Sequence, residues 1–203
     1  MHTYWLWLAL HPELSEPEKG KLARCGNLED LFFPDREGLW PEELDGLVKK
    51  ARSSRDLKAA EQTLARCARE GIRILTLEDE RYPVRLKNIP DPPLVLYYKG
   101  TLPDLDAVPA IGVVGTRKAS AYGVTTARQL GWQIAKCGGA VVSGLAAGID
   151  GAAMEGALMA GGVVVGVLGC GVEQIYPKSN RGLFSRMVDD GCIISEYPPG
   201  TPP

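Results

Sequence analysis

Hydrophobic positions follow two different periods along this chain of 203 residues, and the period changes near residue 71. Before that point apolar side chains recur at helical spacing. Leu6, Ala9 and Leu10 form one such set, Leu44, Leu47 and Val48 a second, and Leu57, Ala60, Leu64 and Cys67 a third. Gly20, Gly26, Gly38 and Gly71 punctuate these stretches, and Pro12, Pro34 and Pro41 start or break them. The pattern predicts a bundle of about four short helices over residues 1–70. Residues 72–77 then alternate as a strand does, 82–93 form a Pro-rich connector, and 94–98 make a second strand candidate.

Beyond residue 110 the helical stripe gives way to short aliphatic runs at 111–114, 140–142, 163–168 and 192–194. Runs this short, apolar on successive positions, read as strands of a parallel sheet. The intervals 122–137, 151–160 and 180–189 are long enough to hold helices. Strand and helix alternating in this way predict βαβ units with right-handed crossovers, hence an α/β fold built on a doubly wound parallel sheet. Two domains are expected: a small all-helical one over 1–70, and one over 71–203 whose lead-in occupies 71–109.

Composition sharpens the division. Residues 1–110 carry 16 basic and 19 acidic side chains and 6 of the 24 glycines, whereas 111–203 carry 7 basic, 6 acidic and the other 18 glycines. The overall net charge of −2 excludes affinity for an anionic polymer through bulk charge, but a few placed cations suffice for a local phosphate site. The opening MHTYWLWLAL is apolar, yet it lacks a basic flank and runs into charged residues, so it reads as a buried first helix rather than a signal peptide. No run approaches the roughly 20 apolar residues of a membrane span. Five cysteines, without a C-x-x-C pair and with three in apolar segments, predict reduced core thiols and a cytoplasmic protein.

Ligands of such sheets bind beyond the carboxyl ends of the strands, so the chemistry is sought in the loops that follow each aliphatic run. These are Gly115-Thr116-Arg117-Lys118-Ala119-Ser120-Ala121-Tyr122-Gly123, then 143–150 with Ser143, Gly144 and Asp150, then 169–180 with Cys170, Gly171, Tyr176, Lys178 and Asn180, and finally Ser195-Glu196-Tyr197-Pro198. Glycines, hydroxyls and three cations fall on one edge, where helix N-termini add N–H groups; this predicts a phosphate site. Arg117, directly after a strand end, and Lys178 are the expected phosphate contacts, and Tyr122 and Tyr176 could stack on bases, though Tyr122, opening a helix, could equally be core.

Known nucleotide and catalytic signatures are missing. G-x-G-x-x-G does not follow the run at 111–114, Ser143 stands where a ribose-binding acid would, and there is no Walker A sequence. The two histidines, His2 and His11, lie in the helical part, away from the loops. Asp150 and Glu155 could act as an acid–base pair, but Asp150 reads more readily as a helix cap or first-turn charge. Glu196 reads as an orienter of Arg117 or as a rim charge, and Cys170 has no base near it in sequence. No metal site, cofactor or enzymatic activity is expected.

Taken together the loops resemble the DNA-processing protein A (DprA/Smf) family. The motifs that carry the resemblance are Gly115-Thr116-Arg117-x-x-Ser120-x-Tyr122-Gly123, Ser143-Gly144-x-Ala146-x-Gly148-Ile149-Asp150, Gly169-Cys170-Gly171 leading to Tyr176-Pro177-x-x-Asn180, and Ser195-Glu196-Tyr197-Pro198. They occur in order over roughly 80–200, preceded by the lead-in Tyr82-Pro83-x-x-Leu86 and Pro92-Pro93-Leu94-x-Leu96-Tyr97. The resemblance implies an extended Rossmann-like domain preceded by a SAM-like helical one. It further implies binding of single-stranded DNA without base specificity, homodimerisation, and help in loading the RecA recombinase during natural transformation. Arg117 and Lys178 would then contact phosphates, and Gly115, Thr116, Ser120, Ser143, Gly144 and Gly171 would form the pocket that admits the backbone. Lys118, Tyr122, Tyr176 and Asn180 complete the expected site. Two departures stand out: Met154 replaces a histidine of the family pattern, and the basic Phe-Pro-x-Arg-Asn-Arg segment expected after Pro203 is not in the chain. The domain is therefore expected to be C-terminally incomplete. Two other readings compete, a nucleotide-processing enzyme of the phosphoribohydrolase kind and a mononucleotide-binding sensor. The former requires P-G-G-x-G-T-x-x-E, which is absent.

Overall fold

The computed structural model describes residues 2–33 and 40–203, so the predicted breaks at Pro34 and Gly38 lie outside the described residues. The chain divides into two compact units, one of residues 1–70 and 74–96, the other of 71–73 and 97–203.

The first unit is mainly helical: α1 (His2–Ala9), α2 (Glu16–Cys25), α3 (Leu28–Phe32), α4 (Asp45–Arg52) and α5 (Lys58–Glu70), followed by β1 (Arg73–Thr76) and a short α6 (Val84–Lys87) inside the Pro-rich connector. Leu6, Leu8, Leu22 and Leu31 are fully buried in its core. His11 is buried as well, with Nε2 3.0 Å from the Ala51 carbonyl and Nδ1 accepting the Glu13 N–H, so its polar atoms serve packing. Asn27 caps α3 by accepting the Glu29 N–H at 2.9 Å. At the start of α2 the Glu18 carboxylate accepts the backbone N–H and the hydroxyl of Ser15, while Lys50 on α4 donates to both of its oxygens at 2.8 and 2.9 Å.

Those bonds, that from Lys50 first, hold the Glu18 carboxyl down at about 2, against an ordinary value of 4.5. A carboxylate lowered on folding adds stability above its unfolded value and loses it as the pH falls through the folded one. Thermal melts followed by circular dichroism should therefore show Glu18→Gln less stable than the parent at pH 7. The gap should narrow between pH 4.5 and 2 and vanish below that. A gap independent of pH would refute the ion pair as its cause.

In the second unit the parallel strands are β3 (Ala110–Gly112), β4 (Ala140–Ser143), β5 (Val164–Val167) and β6 (Cys192–Ser195), and β2 (Val95–Gly100) pairs antiparallel to β6. The full order is β1-β2-β6-β5-β4-β3. The crossovers are α7 (Ala121–Lys136), α8 (Ile149–Met159) and α9 (Arg181–Asp190). The α/β sheet expected from the short aliphatic runs is thus present, mostly parallel, with winding in one direction from β3 to β6. The apolar runs are not buried throughout: Ile111 on β3, the strand that ends the sheet, Val114 in the loop after it, and Val167 at the end of β5 are exposed. Met154, expected from the resemblance to stand in place of a histidine, is fully buried beneath β5 against Gly166 and serves packing. Among the described residues no helix is long and apolar enough to cross a membrane.

Two contacts set the geometry of the loops. Gly131 of α7 and Gly156 of α8 let the two helix backbones touch, since a Cβ on either would overlap the carbonyl oxygen of Ala153 or Arg128 respectively. Gly148 enters α8 at φ 84°, a conformation that favours glycine, and lies against the Thr116 carbonyl where no Cβ would fit. Close helix approach and a glycine hinge together bring the loop after β4 against the loop after β3.

Candidate functional site

The loops after β3, β4 and β5 enclose an open cavity of about 280 Å³ at the carboxyl ends of those strands. Arg117, Gly144 and Tyr176 line it, together with Ala146, Ala147, Leu168, Gly169, Cys170, Pro177 and Pro203. The structure thus gathers one residue from each of three motifs that lie up to about 60 positions apart in the chain. A larger cavity of about 570 Å³ in the helical unit sets Arg24 and Lys87 against Glu29 and Glu78, and so offers no excess of positive charge to an anion.

The β3–α7 loop is held by its own polar groups. Thr116 Oγ1 accepts the Lys118 N–H at 3.1 Å, and its carbonyl accepts the Ile149 N–H. Ser120 caps α7, its hydroxyl oxygen accepting the Gly123 N–H at 3.2 Å. That frame leaves Arg117 and Lys118 exposed, as Lys178 is across the site; no carboxylate ion pair involves them among the described residues. Tyr122 is 81% exposed and Tyr176 52%, so neither is a core residue. Tyr176 lines the cavity itself.

Other expected site residues build the loops from within. Ser143 is 3% exposed and its hydroxyl donates to the Val113 carbonyl at 2.6 Å, joining the ends of β3 and β4. The Asn180 amide nitrogen donates to the carbonyls of Leu145 and Ala146, which supports the β4–α8 loop where Leu145 sits at φ 57°. Gly171 is buried, its N–H donating to the Thr201 carbonyl at 3.0 Å, and a Cβ there would meet the Glu173 carboxylate. These three act on the site through backbone shape. Gly115 and Gly144 stand at the surface, but their N–H groups both turn to Asp150.

Asp150 stands in the first turn of α8, as one reading of the sequence had it, but sequence reasoning missed its bonds to the two glycine loops, and it does not pair with Glu155. Glu155 instead accepts from Arg128 on α7 at 2.7 Å. The residue that could have pointed to it is the acid placed directly after Gly148-Ile149, at a helix start facing two glycine loops.

Cys170 lies in the cavity wall, but burial and the neighbouring Glu173 charge both push its thiol up, so it is not an activated nucleophile. Burial carries Cys192 up to about 12. None of the five cysteines forms a disulfide; Cys25 and Cys137 are exposed and Cys67, Cys170 and Cys192 buried. Ellman's reagent should accordingly titrate two thiols rapidly in native buffer and all five in denaturant. A third fast thiol in native buffer would contradict the packing around Cys170 and Cys192. Among the described residues no cluster of His, Cys, Asp and Glu could hold a metal ion.

With this geometry the chain can be set beside known proteins. The family model described as DNA recombination-mediator protein A matches residues 73–203. Protein Smf of Synechocystis sp. is 42% identical over 132 residues, 64% of this chain and 33% of that protein. The structure of DNA processing protein A from Streptococcus pneumoniae superposes with a TM-score of 0.65 at 29% identity, covering 94% of this chain and 70% of that one. The Helicobacter pylori protein, described for its single-stranded DNA binding mode, superposes with a TM-score of 0.58 at 30% identity over 65% of this chain and 58% of that one. The chain spans between a third and about half of the length of the curated relatives it matches. The family model extends from β1 to the C-terminal residue and so takes in every loop of the cavity. This chain belongs to the DNA recombination-mediator protein A family.

Proposed function

We propose that this chain binds single-stranded DNA without base specificity, holding the phosphodiester backbone along the loops after β3, β4 and β5. The observation that carries this reading is the convergence of Arg117, Gly144 and Tyr176 on one open cavity, with Lys118 and Lys178 exposed on the same loops. Sequence-blind recognition calls for cations that meet phosphates and aromatic faces that accept any base, and not for side chains that read base edges. Arg117 and Lys178 take phosphates; Tyr122 and Tyr176 are the stacking surfaces. Gly144 admits the backbone, while Gly115, Thr116, Ser120, Ser143, Gly171 and Asn180 fix the shape of the loops. Single-strand binding in the Helicobacter pylori relative supports the reading. Self-association and delivery of strands to RecA complete it, on the strength of family membership. The domain division at residue 71, helical before and strand-binding after, belongs to the same proposal.

Fluorescence anisotropy with labelled dT oligonucleotides of several lengths, at two salt concentrations, tests this function. Affinity should rise with strand length and fall with salt, and dTMP should fail to compete. Affinity that ignores length and is competed by dTMP would overturn it in favour of a mononucleotide pocket.

A further inference from the structure

Asp150 is a buried carboxylate that touches neither the exposed cations nor the acid Glu155. It is 6% exposed and stands at the second position of α8. Its Oδ1 accepts the N–H of Gly115 at 3.1 Å and its Oδ2 accepts the N–H of Gly144 at 3.2 Å. Those glycines open the loops after β3 and β4. In open α/β sheets, loop amides at neighbouring strand ends are the donors that take up a nucleotide's phosphate. Here a carboxylate from within the chain already holds both, and its negative charge opposes a second anion at the same place. Ile149 closes the floor as well, since a Cβ on Gly115 would come within 2.7 Å of its side chain.

We propose that Asp150 is the positioning and specificity residue of the strand site: it occupies the two amides that a free nucleotide's phosphate or a pyrophosphate would need. By doing so it braces the two loops at the spacing that sets Arg117 and Gly144 around the cavity. Phosphate recognition is thereby moved outward to Arg117 and Lys178, where a phosphodiester chain passing over the loops is held and a compact terminal phosphate is not. The proposal rests on the strand-binding reading for its positioning half. Its exclusion half stands on the two hydrogen bonds alone.

The test compares the parent chain with Asp150→Ala and Asp150→Asn. A labelled dT oligonucleotide reads the strand site by anisotropy, inorganic pyrophosphate reads the loop amides by isothermal titration, and far-UV circular dichroism checks that each variant folds. Asp150→Ala frees both amides and removes the charge. It should bind pyrophosphate at least tenfold more tightly than the parent and the oligonucleotide at least tenfold more weakly. Asp150→Asn keeps the bulk and one acceptor, so it should still exclude pyrophosphate and should fall between the other two in strand affinity. A merely structural aspartate would lower strand affinity without creating an anion site, so a folded Asp150→Ala that gains no pyrophosphate binding overturns the proposal. If Asp150→Ala does not fold, Asp150→Asn decides, and strand affinity equal to the parent's refutes it. If the parent itself fails to bind the oligonucleotide, the strand-binding reading falls, while the pyrophosphate comparison still decides the exclusion role.

Discussion

Gly131→Ala should destabilise the second unit by about 3 kcal/mol or more, at the upper end of what overpacking costs. Alanine within a helix normally gains about 0.5–1 kcal/mol over glycine, so the expected effect has the opposite sign to helix propensity. The reason is the crossing of α7 and α8. A Cβ on Gly131 overlaps the Ala153 carbonyl oxygen, and one on Gly156 overlaps that of Arg128, so the two glycines protect the same contact from opposite sides. Both obstacles are backbone atoms, which cannot turn aside as the end of a side chain can. The helices must separate, and the separation opens the seam between the loops that α7 and α8 follow. Against a total stability of about 5–15 kcal/mol, such a loss is severe. It corresponds to a fall in melting temperature of roughly 6–12 °C for a chain of this size. Gly20 in α2, with nothing within 4 Å of its would-be Cβ, is the control. Gly20→Ala should be neutral or stabilising by up to about 1 kcal/mol. Thermal melts of the three proteins settle the matter, and a Gly131→Ala that melts with Gly20→Ala would disprove the close crossing.

Arg117→Ala should weaken oligonucleotide binding roughly ten- to a hundredfold, the worth of a hydrogen bond to a charged group. The loss should be the same for dT, dA and mixed sequences and should shallow the dependence of log affinity on log salt by about one. Both features follow from a phosphate contact, because the backbone charge repeats with every nucleotide whatever the base. The exposed guanidinium has no carboxylate partner among the described residues, so its removal leaves no buried charge behind and the fold should be unaffected. Anisotropy titrations at several salt concentrations measure affinity and slope together. A loss confined to certain base sequences would show that Arg117 reads base edges instead.

Both variants bear on how the chain encodes its site. Whatever depends on near neighbours was legible in the sequence. The repeats at Leu44, Leu47 and Val48 and at Leu57, Ala60 and Leu64 fall in α4 and α5 or on their edges, because helical period acts over a few residues. The aliphatic runs became β3 to β6, and the loops after them were recognisable by their glycines and cations. Ser120 was read as part of the pocket, and the structure shows it as the cap of α7, a local device open to either reading until the fold is known. The short helix α6 escaped notice because two prolines at 83 and 90 bracket it and its four residues show no period.

Roles that depend on distant partners were not legible. Ser143, Gly171 and Asn180 carry the polar or glycine character of a binding residue, yet they bond Val113, Thr201, Leu145 and Ala146. Nothing in a hydroxyl or an amide says whether its partner is a ligand or a carbonyl 30 residues away. Exposure obeys the same rule: Val167 is as apolar as Val164 on the same strand, yet only the tertiary structure leaves Val167 in solvent and buries Val164.

The sequence by itself determined the succession of elements, the family motifs and the edge of the sheet on which they would gather, since each is written in the spacing of near neighbours. The tertiary structure alone decided which of the gathered residues face the cavity and which hold it in shape. That choice was made by the strand order, which sets Asp150 beside Gly115 and Gly144, and by the crossing at Gly131 and Gly156. The Gly115–Asp150 bond and the helix crossing join residues remote in the chain, on which no local period bears.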